Sequence, residues 1–265
     1  MSKINVDTWE PESGTAATLM ASGDTVTVPS GAELDIASGA TLDVNGTIDL
    51  TGATKTGFPS AGFNTVTAFT VSSSGWSPAS GTTQIIVEIQ AGGGGGGGAG
   101  SASTGGHAGG GAFAWKRLTV VDTDTMDIVV GAAGTAGAYG GAGGAGGTSS
   151  FTSASGTSFT AITCVGGAAG SGGGGSTNGA GGAGGTVTSA GGSYDFRMDG
   201  ANGRSDALTT GGGSFWGLGQ VGVSGEGNGT LGVGYGSGGQ GPTKATSSYS
   251  SVVGQIGLVV IWEYK

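Results

Sequence analysis

Charge is what the chain has least of. Of its 265 residues, 8 are Lys or Arg and 17 are Asp or Glu, and charged residues make up 9%, against the ~25% of an ordinary globular chain. The net charge of −9 leaves no basic patch to neutralise phosphates, so nucleic acid is not an expected partner. Disordered acidic segments are rich in charge; so little of it, with a mean hydropathy of +0.10, points to an ordered chain surfaced by Ser, Thr, Asn and backbone. One cysteine, Cys164, excludes an internal disulfide framework. It lies in a short apolar strand, Ala161 to Val165, and reads as a buried, inert thiol. Five prolines are too few for a collagen-type helix. The sole histidine, His107, has no plausible triad partners. No run approaches the ~20 apolar residues of a membrane span, and the first seven residues hold no apolar signal-peptide core. Membrane insertion is therefore not expected, and synthesis in the cytoplasm is. Helical periodicity is absent.

Glycine is what the chain has in excess, 66 residues where ~7% is usual. It forms an unbroken run, Gly92 to Gly98, then returns in bursts at 140–147, 172–175, 179–185 and 211–213, with alanine as the tolerated third residue. A period of three is that of the extended polyproline-II-like helix, whose backbone groups are free to bond to neighbours. Two glycines and one small residue per turn let such a helix touch neighbours on two sides. Ordered glycine is costly in entropy, so such a lattice needs strands to hold its ends.

Four pairs, Val26/Val28, Leu34/Ile36, Leu42/Val44 and Ile48/Leu50, repeat a two-residue strand period between turn-forming segments. Strands this short cannot bury both faces in one chain, and three chains supplying the missing faces is the expected solution. Longer strands are expected over 65–71, 84–89, 113–121, 126–130 and 257–264, the last beside Ile85–Ile89. The expected fold is all-β: a trimeric β-fibre stalk followed by a glycine-rich, β-sandwich-like tip domain with polyglycine-II-type segments. Its divisions are 1–25 for attachment, 26–60 for the stalk and 61–265 for the tip.

Trp76-x-Pro78-x-x-Gly81, the strand Ile85–Ile89 and the Gly92–Gly98 run resemble the opening of the glycine-rich C-terminal domain of bacteriophage tail fibres. Ile128 to Gly134, the phased 139–147 region and the closing 257–264 strand are similar to the same family, over roughly residues 66–265. The Ser-Gly-Ala-x-Leu repeats of 30–50 resemble fibre stalks of marine phages. The resemblance implies a homotrimeric virion fibre, made in the host cytoplasm. Its N-terminus, with Ile4, Val6 and Trp9 as the expected anchors, would join a virion tail or adaptor protein. Its tip would contact a host-surface glycan, lipopolysaccharide or another outer-membrane component.

The candidate binding residues lie where glycine gives way. Tyr194 to Leu208 concentrates Tyr194, Asp195, Phe196, Arg197, Asp199, Asn202, Arg204 and Asp206 in a chain otherwise poor in charge, as expected of a loop projecting from a rigid scaffold. Aromatic rings there would stack on sugars while Asp and Arg bond hydroxyls; the plainer alternative is a surface excursion with internal Asp–Arg pairs. Phe215 and Trp216, between glycines, read equally as an exposed contact or as a plug in a trimer cavity. Tyr235 and Tyr249 are weaker candidates. Gly217 to Gly222 spells a dinucleotide fingerprint by chance, outside any βαβ context. Asp122, Asp124 and Asp127 lack calcium-loop spacing and read as a turn. No cofactor, metal or catalytic residue is expected. Two other functions stay open: a surface-polysaccharide depolymerase using Asp195, Asp199 and Asp206, and, more remotely, an ice-binding polyglycine-II protein.

Overall fold

The computed structural model describes residues 62–188, 194–205, 210–219, 228–243 and 250–265. These belong to the second of two units into which the chain divides, Phe58–Lys265. The anchors Ile4, Val6 and Trp9, the repeats of 26–60, Asp206 and Tyr249 lie outside the described residues.

Among the described residues every regular element is a β-strand and every strand pairing is antiparallel. The first sheet runs, in order, β1 (Phe63–Phe69), β12 (Leu258–Tyr264), β3 (Gln84–Gln90), β4 (Phe113–Thr119) and β9 (Phe196–Met198). The second runs β2 (Ser73–Trp76), β5 (Thr125–Val129), β6 (Ser149–Ser155), β7 (Ile162–Cys164) and β8 (Val187–Thr188). A short ladder joins β10 (Gly217–Leu218) to β11 (Val233–Gly234).

Alternation decides which face of the first sheet is inside. Ile85, Val87 and Ile89 of β3 and Val259 and Ile261 of β12 are fully buried. They share one apolar core with Met126, Ile128, Phe151, Ile162 and Cys164 of the second sheet. Each large aliphatic or aromatic side chain so buried contributes ~1.5–3 kcal/mol. The closing strand lies beside β3 as expected, with Val259 opposite Ile89 and Ile261 opposite Val87. It sits inside the sheet, between β1 and β3, so the C-terminal strand exposes no edge. The three clustered aspartates brace turns. Asp124 accepts the N–H groups of Val121 at 2.9 Å and Thr157 at 2.8 Å, Asp127 that of Gly75 at 3.0 Å, and Asp122 that of Gly81 at 2.9 Å.

β3 runs straight into the heptaglycine, whose hydrogen bonds repeat every third residue. The N–H groups of Gly92, Gly95 and Gly98 go to the carbonyls of Gly147, Gly144 and Gly141. Those of Gly93 and Gly96 go to Gln255 and Val252, and those of Gly94 and Gly97 to Gly109 and Gly106. The carbonyls face three further segments. Gly167, Gly170 and Gly173 donate to Gly92, Gly95 and Gly98; Gly134 and Gly137 donate to Gly93 and Gly96; Gly239 donates to Gly94. Six neighbours leave no position where a Cβ fits: one on Gly95 would overlap the Thr135 carbonyl, and one on Gly97 that of Ser171. A segment with fewer neighbours has a free side. In the 140–147 burst Ala142 and Ala145 are exposed, and in 179–185 so are Ala180 and Ala183. Seven consecutive glycines therefore mark the central segment, and the glycine-glycine-alanine phase marks those around it. His107 is also built in: it is 1% exposed, and its Nδ1 accepts the Gly241 N–H at 3.1 Å.

Candidate binding surface

The strand register places an aromatic group on the face of the first sheet turned away from the core. With Ile85, Val87 and Ile89 inside, Glu88 and Gln90 point outward, and their partners on β4 are Trp115 and Phe113. Phe196 pairs with Trp115 and Met198 with Phe113, so all four share that face. Phe113 is nevertheless only 1% exposed, because Phe215 stacks on it with ring centroids 4.0 Å apart. Phe196 tilts against both rings, at 6.1 Å from Phe113 and 6.2 Å from Phe215, and Trp216 meets Phe215 edge-on at 5.7 Å. Two stretches separate in sequence thus converge on one buried ring.

What remains open to solvent is apolar. Phe196, Phe215 and Trp216 are 42%, 48% and 42% exposed, and Leu218 and Val233 are 78% and 65% exposed. Phe215, Trp216, Leu218 and Val233, with Gly217 and Gly234, line an open depression of about 280 Å³. Gly234, at φ +83°, and Gly236, at φ +72°, take the left-handed conformation that the returning chain requires. The anchor beneath is Gln90, fully buried at the end of β3. Its Nε2 donates to the carbonyls of Ala91, Gly111 and Ala112 at 3.0–3.2 Å, and its Oε1 accepts the Trp216 N–H at 3.4 Å. One side chain therefore ties the start of the glycine run to the aromatic surface.

Among the described residues 194–205, Tyr194, Asp195, Asp199 and Asn202 bind the scaffold through their side chains. The Tyr194 hydroxyl donates to the Thr188 carbonyl at 2.7 Å, and its ring packs on the core. Asp195 accepts the Arg117 N–H at 2.7 Å, Asp199 that of Val187 at 3.1 Å, and Asn202 that of Gly184 at 2.7 Å. The Arg204 carbonyl accepts the His107 N–H at 3.0 Å. Arg197 is exposed and alternates to the face opposite Phe196. Residues 194–205 are thus a sheet edge and strap, where a projecting loop was expected: β9 completes the free edge of β4, and the carboxylates satisfy backbone donors there. Tyr235 lies in the segment after β11, where its carbonyl accepts from Ser214 Oγ. Val233 and Gln90 gave little signal in sequence, since neither stands in a run of polar or aromatic residues, whereas Leu218 closes the Ser214–Leu218 stretch that holds Phe215 and Trp216.

Two ionisable groups near this sheet are shifted. Burial, with a smaller push from Asp199, raises the Cys164 thiol to about 12, which makes it the inert buried thiol expected. On the outer face, burial raises the Glu88 carboxyl, and the adjacent Trp262 indole pulls it down only in part. Glu88 Oε2 and Trp262 Nε1 are both shielded from solvent and make no full hydrogen bond among the described residues. Those residues also contain no group of three or more His, Cys, Asp or Glu arranged to hold a metal. No protein-family model matches the chain, and no curated protein matches it significantly.

Proposed function

We propose that this chain is a bacteriophage fibre protein: a homotrimer, joined to a virion tail or adaptor protein through residues 1–25, that adheres to the bacterial surface through its glycine-rich tip. On this reading 26–60 is the stalk, and the glycine segments of the tip form a polyglycine-II bundle. The three-residue hydrogen-bond period and the outward alanines favour the bundle. The observation that carries the adhesive role is the exposed aromatic surface of Phe196, Phe215 and Trp216, fixed by Gln90 to the start of the glycine run.

A surface held this rigidly loses little conformational freedom on contact, which lowers the cost of binding. Exposed rings offer flat apolar faces to a sugar ring or to an apolar group of an outer-membrane component. Three copies per fibre would multiply a weak single-site affinity into avidity, by ~10²–10⁴ where the sites engage together. The role assigned to the chain is binding and assembly, without catalysis.

Radical footprinting of the full chain, free and bound to envelope fragments of a bacterium it adheres to, tests this reading. Labelling of Phe215, Trp216 and Leu218 is expected to fall on binding, while Val121 and Val129, exposed elsewhere, keep theirs. Unchanged labelling of Trp216 in the bound state rejects the assignment.

A further inference from the structure

Asparagine is scarce in the chain, six residues, and four of them stand immediately before glycine. Asn-Gly is the pair whose side-chain amide is lost most easily, because glycine has no side chain to hinder attack by its own backbone nitrogen. Three of the four, Asn178-Gly179, Asn202-Gly203 and Asn228-Gly229, lie among the described residues. Packing requires the glycine in each. A Cβ on Gly179, Gly203 or Gly229 would overlap the carbonyl of Ser171, His107 or Gln240 respectively. The asparagine is held as well. Asn178 Oδ1 accepts the Thr104 N–H at 3.1 Å, Asn202 Oδ1 that of Gly184 at 2.7 Å, and Asn228 Oδ1 that of Ser250 at 3.0 Å. Each side-chain carbonyl takes the place of a backbone acceptor beside the glycine segments, so the fold itself selects the fragile pair.

We propose that Asn178, Asn202 and Asn228 are latent deamidation sites, closed while the glycine segments are bonded together and open once they part. In the reaction the glycine nitrogen gives up its proton and bonds to Asn Cγ. The Cγ–Nδ2 bond breaks, and ammonia carries the proton away. Water then opens the cyclic succinimide at one carbonyl or the other, leaving aspartate or isoaspartate. No oxidation or reduction is involved, and water is the only co-reactant. In the folded chain both reacting groups are committed elsewhere. The Gly179 N–H donates to the Thr104 carbonyl at 2.9 Å, that of Gly203 to Gly182 at 2.8 Å, and that of Gly229 to Ser250 at 3.1 Å. At Asn178 and Asn228 one residue, Thr104 or Ser250, therefore holds both the side-chain amide and the following N–H. Attack needs that N–H freed and the amide turned toward it, which requires both bonds to break. Isoaspartate adds a methylene to the main chain, so the glycine after it no longer meets its acceptor in register and the opening becomes permanent.

The test incubates the full chain in mildly alkaline buffer, folded and in guanidinium chloride, and maps its peptides for aspartate and isoaspartate. Deamidation at Asn178, Asn202 and Asn228 is expected to be at least ~10-fold slower in the folded chain, since groups bonded in a cooperative unit react only from its open form. The control is Ser155→Asn, which puts an asparagine before Gly156 in the exposed turn after β6. There the Gly156 N–H makes no backbone bond among the described residues, and the folded rate is expected within ~3-fold of the denatured one. Equal folded and denatured rates at any of the three natural pairs overturn the inference for that pair. Protection of the Ser155→Asn amide as strong as theirs overturns it for all three, because folding in general, and not these bonds, would then hold the amides.

Discussion

The ring of Phe215 lies flat on that of Phe113, with centroids 4.0 Å apart and planes 13° from parallel. Phe113 points away from the core, so without this lid it would be an exposed aromatic on a sheet face. Phe215→Ala is therefore expected to cost ~2 kcal/mol, from lost burial and the lost ring pair. Trp216→Ala, which removes only an edge contact at 5.7 Å, is expected to cost ~1 kcal/mol. Denaturant midpoints of the two variants check the order; equal values would mean that Phe215 is not a lid.

Gly95 bonds to neighbours through both its N–H and its carbonyl, and a Cβ there would overlap the Thr135 carbonyl oxygen. The obstacle is backbone held by its own lattice bonds, so it cannot swing aside. Gly95→Ala is expected to cost more than ~4 kcal/mol, the exceptional end of single-residue effects. Ala142→Ser, at an exposed third position, is expected to stay within ~0.5 kcal/mol. Thermal unfolding of both separates a lattice from a soft linker, in which the two changes would be equally harmless.

Asp124 is 1% exposed. Burial raises its carboxyl, but the bonds from Val121 and Thr157 outweigh this and hold it below the ordinary value. A carboxyl depressed on folding stabilises the folded chain above its unfolded pKa of ~3.9. That contribution fades as pH falls through the lower folded value. Asp124→Asn is expected to lose ~1–3 kcal/mol at pH 7, the cost of weakening two charge-assisted bonds from the Val121 and Thr157 N–H groups. The gap from the unsubstituted chain should close in strong acid. Urea melts across that range decide it; a gap that does not change with pH would contradict the assignment.

Cys164 is fully buried, with its thiol near 12. At pH 8 the thiolate is ~10⁻⁴ of the population, and the thiolate is the reactive form. Iodoacetamide is expected to leave the native protein unmodified and to alkylate Cys164 fully in denaturant. Mass measurement shows which, and rapid native alkylation would mean that the core opens at β7.

The strongest strands were legible because a short run of β-branched and aromatic residues is a local signal. Gln84–Gln90 and Leu258–Tyr264 carry it plainly, and they pair as expected. β1 was expected two residues later; it starts at Phe63, with a register shift between Phe63 and Thr65. β6 left no hydrophobic trace, since Phe151 is the only large apolar side chain in a run of Ser, Thr and Ala. β9 was read as a loop from its charges, because its strand character comes from the open edge of β4 rather than from its own residues. The meeting of Phe196 with Phe215 has no counterpart in any local pattern. Both belonged to the expected site, but as separate stretches, and the fold brings their rings against each other and against the buried Phe113.

Adsorption isotherms of the full chain on whole bacteria test the adhesive surface most directly. Trp216→Ser with Leu218→Ser removes two exposed apolar side chains, and Val121→Ser with Val129→Ser is the matched control on residues exposed elsewhere. The account predicts at least ~10-fold weaker adsorption for the first pair, as for loss of an exposed aromatic anchor amplified by avidity, and wild-type adsorption for the second. Equal isotherms for all three proteins, with unfolding midpoints unchanged, would contradict it.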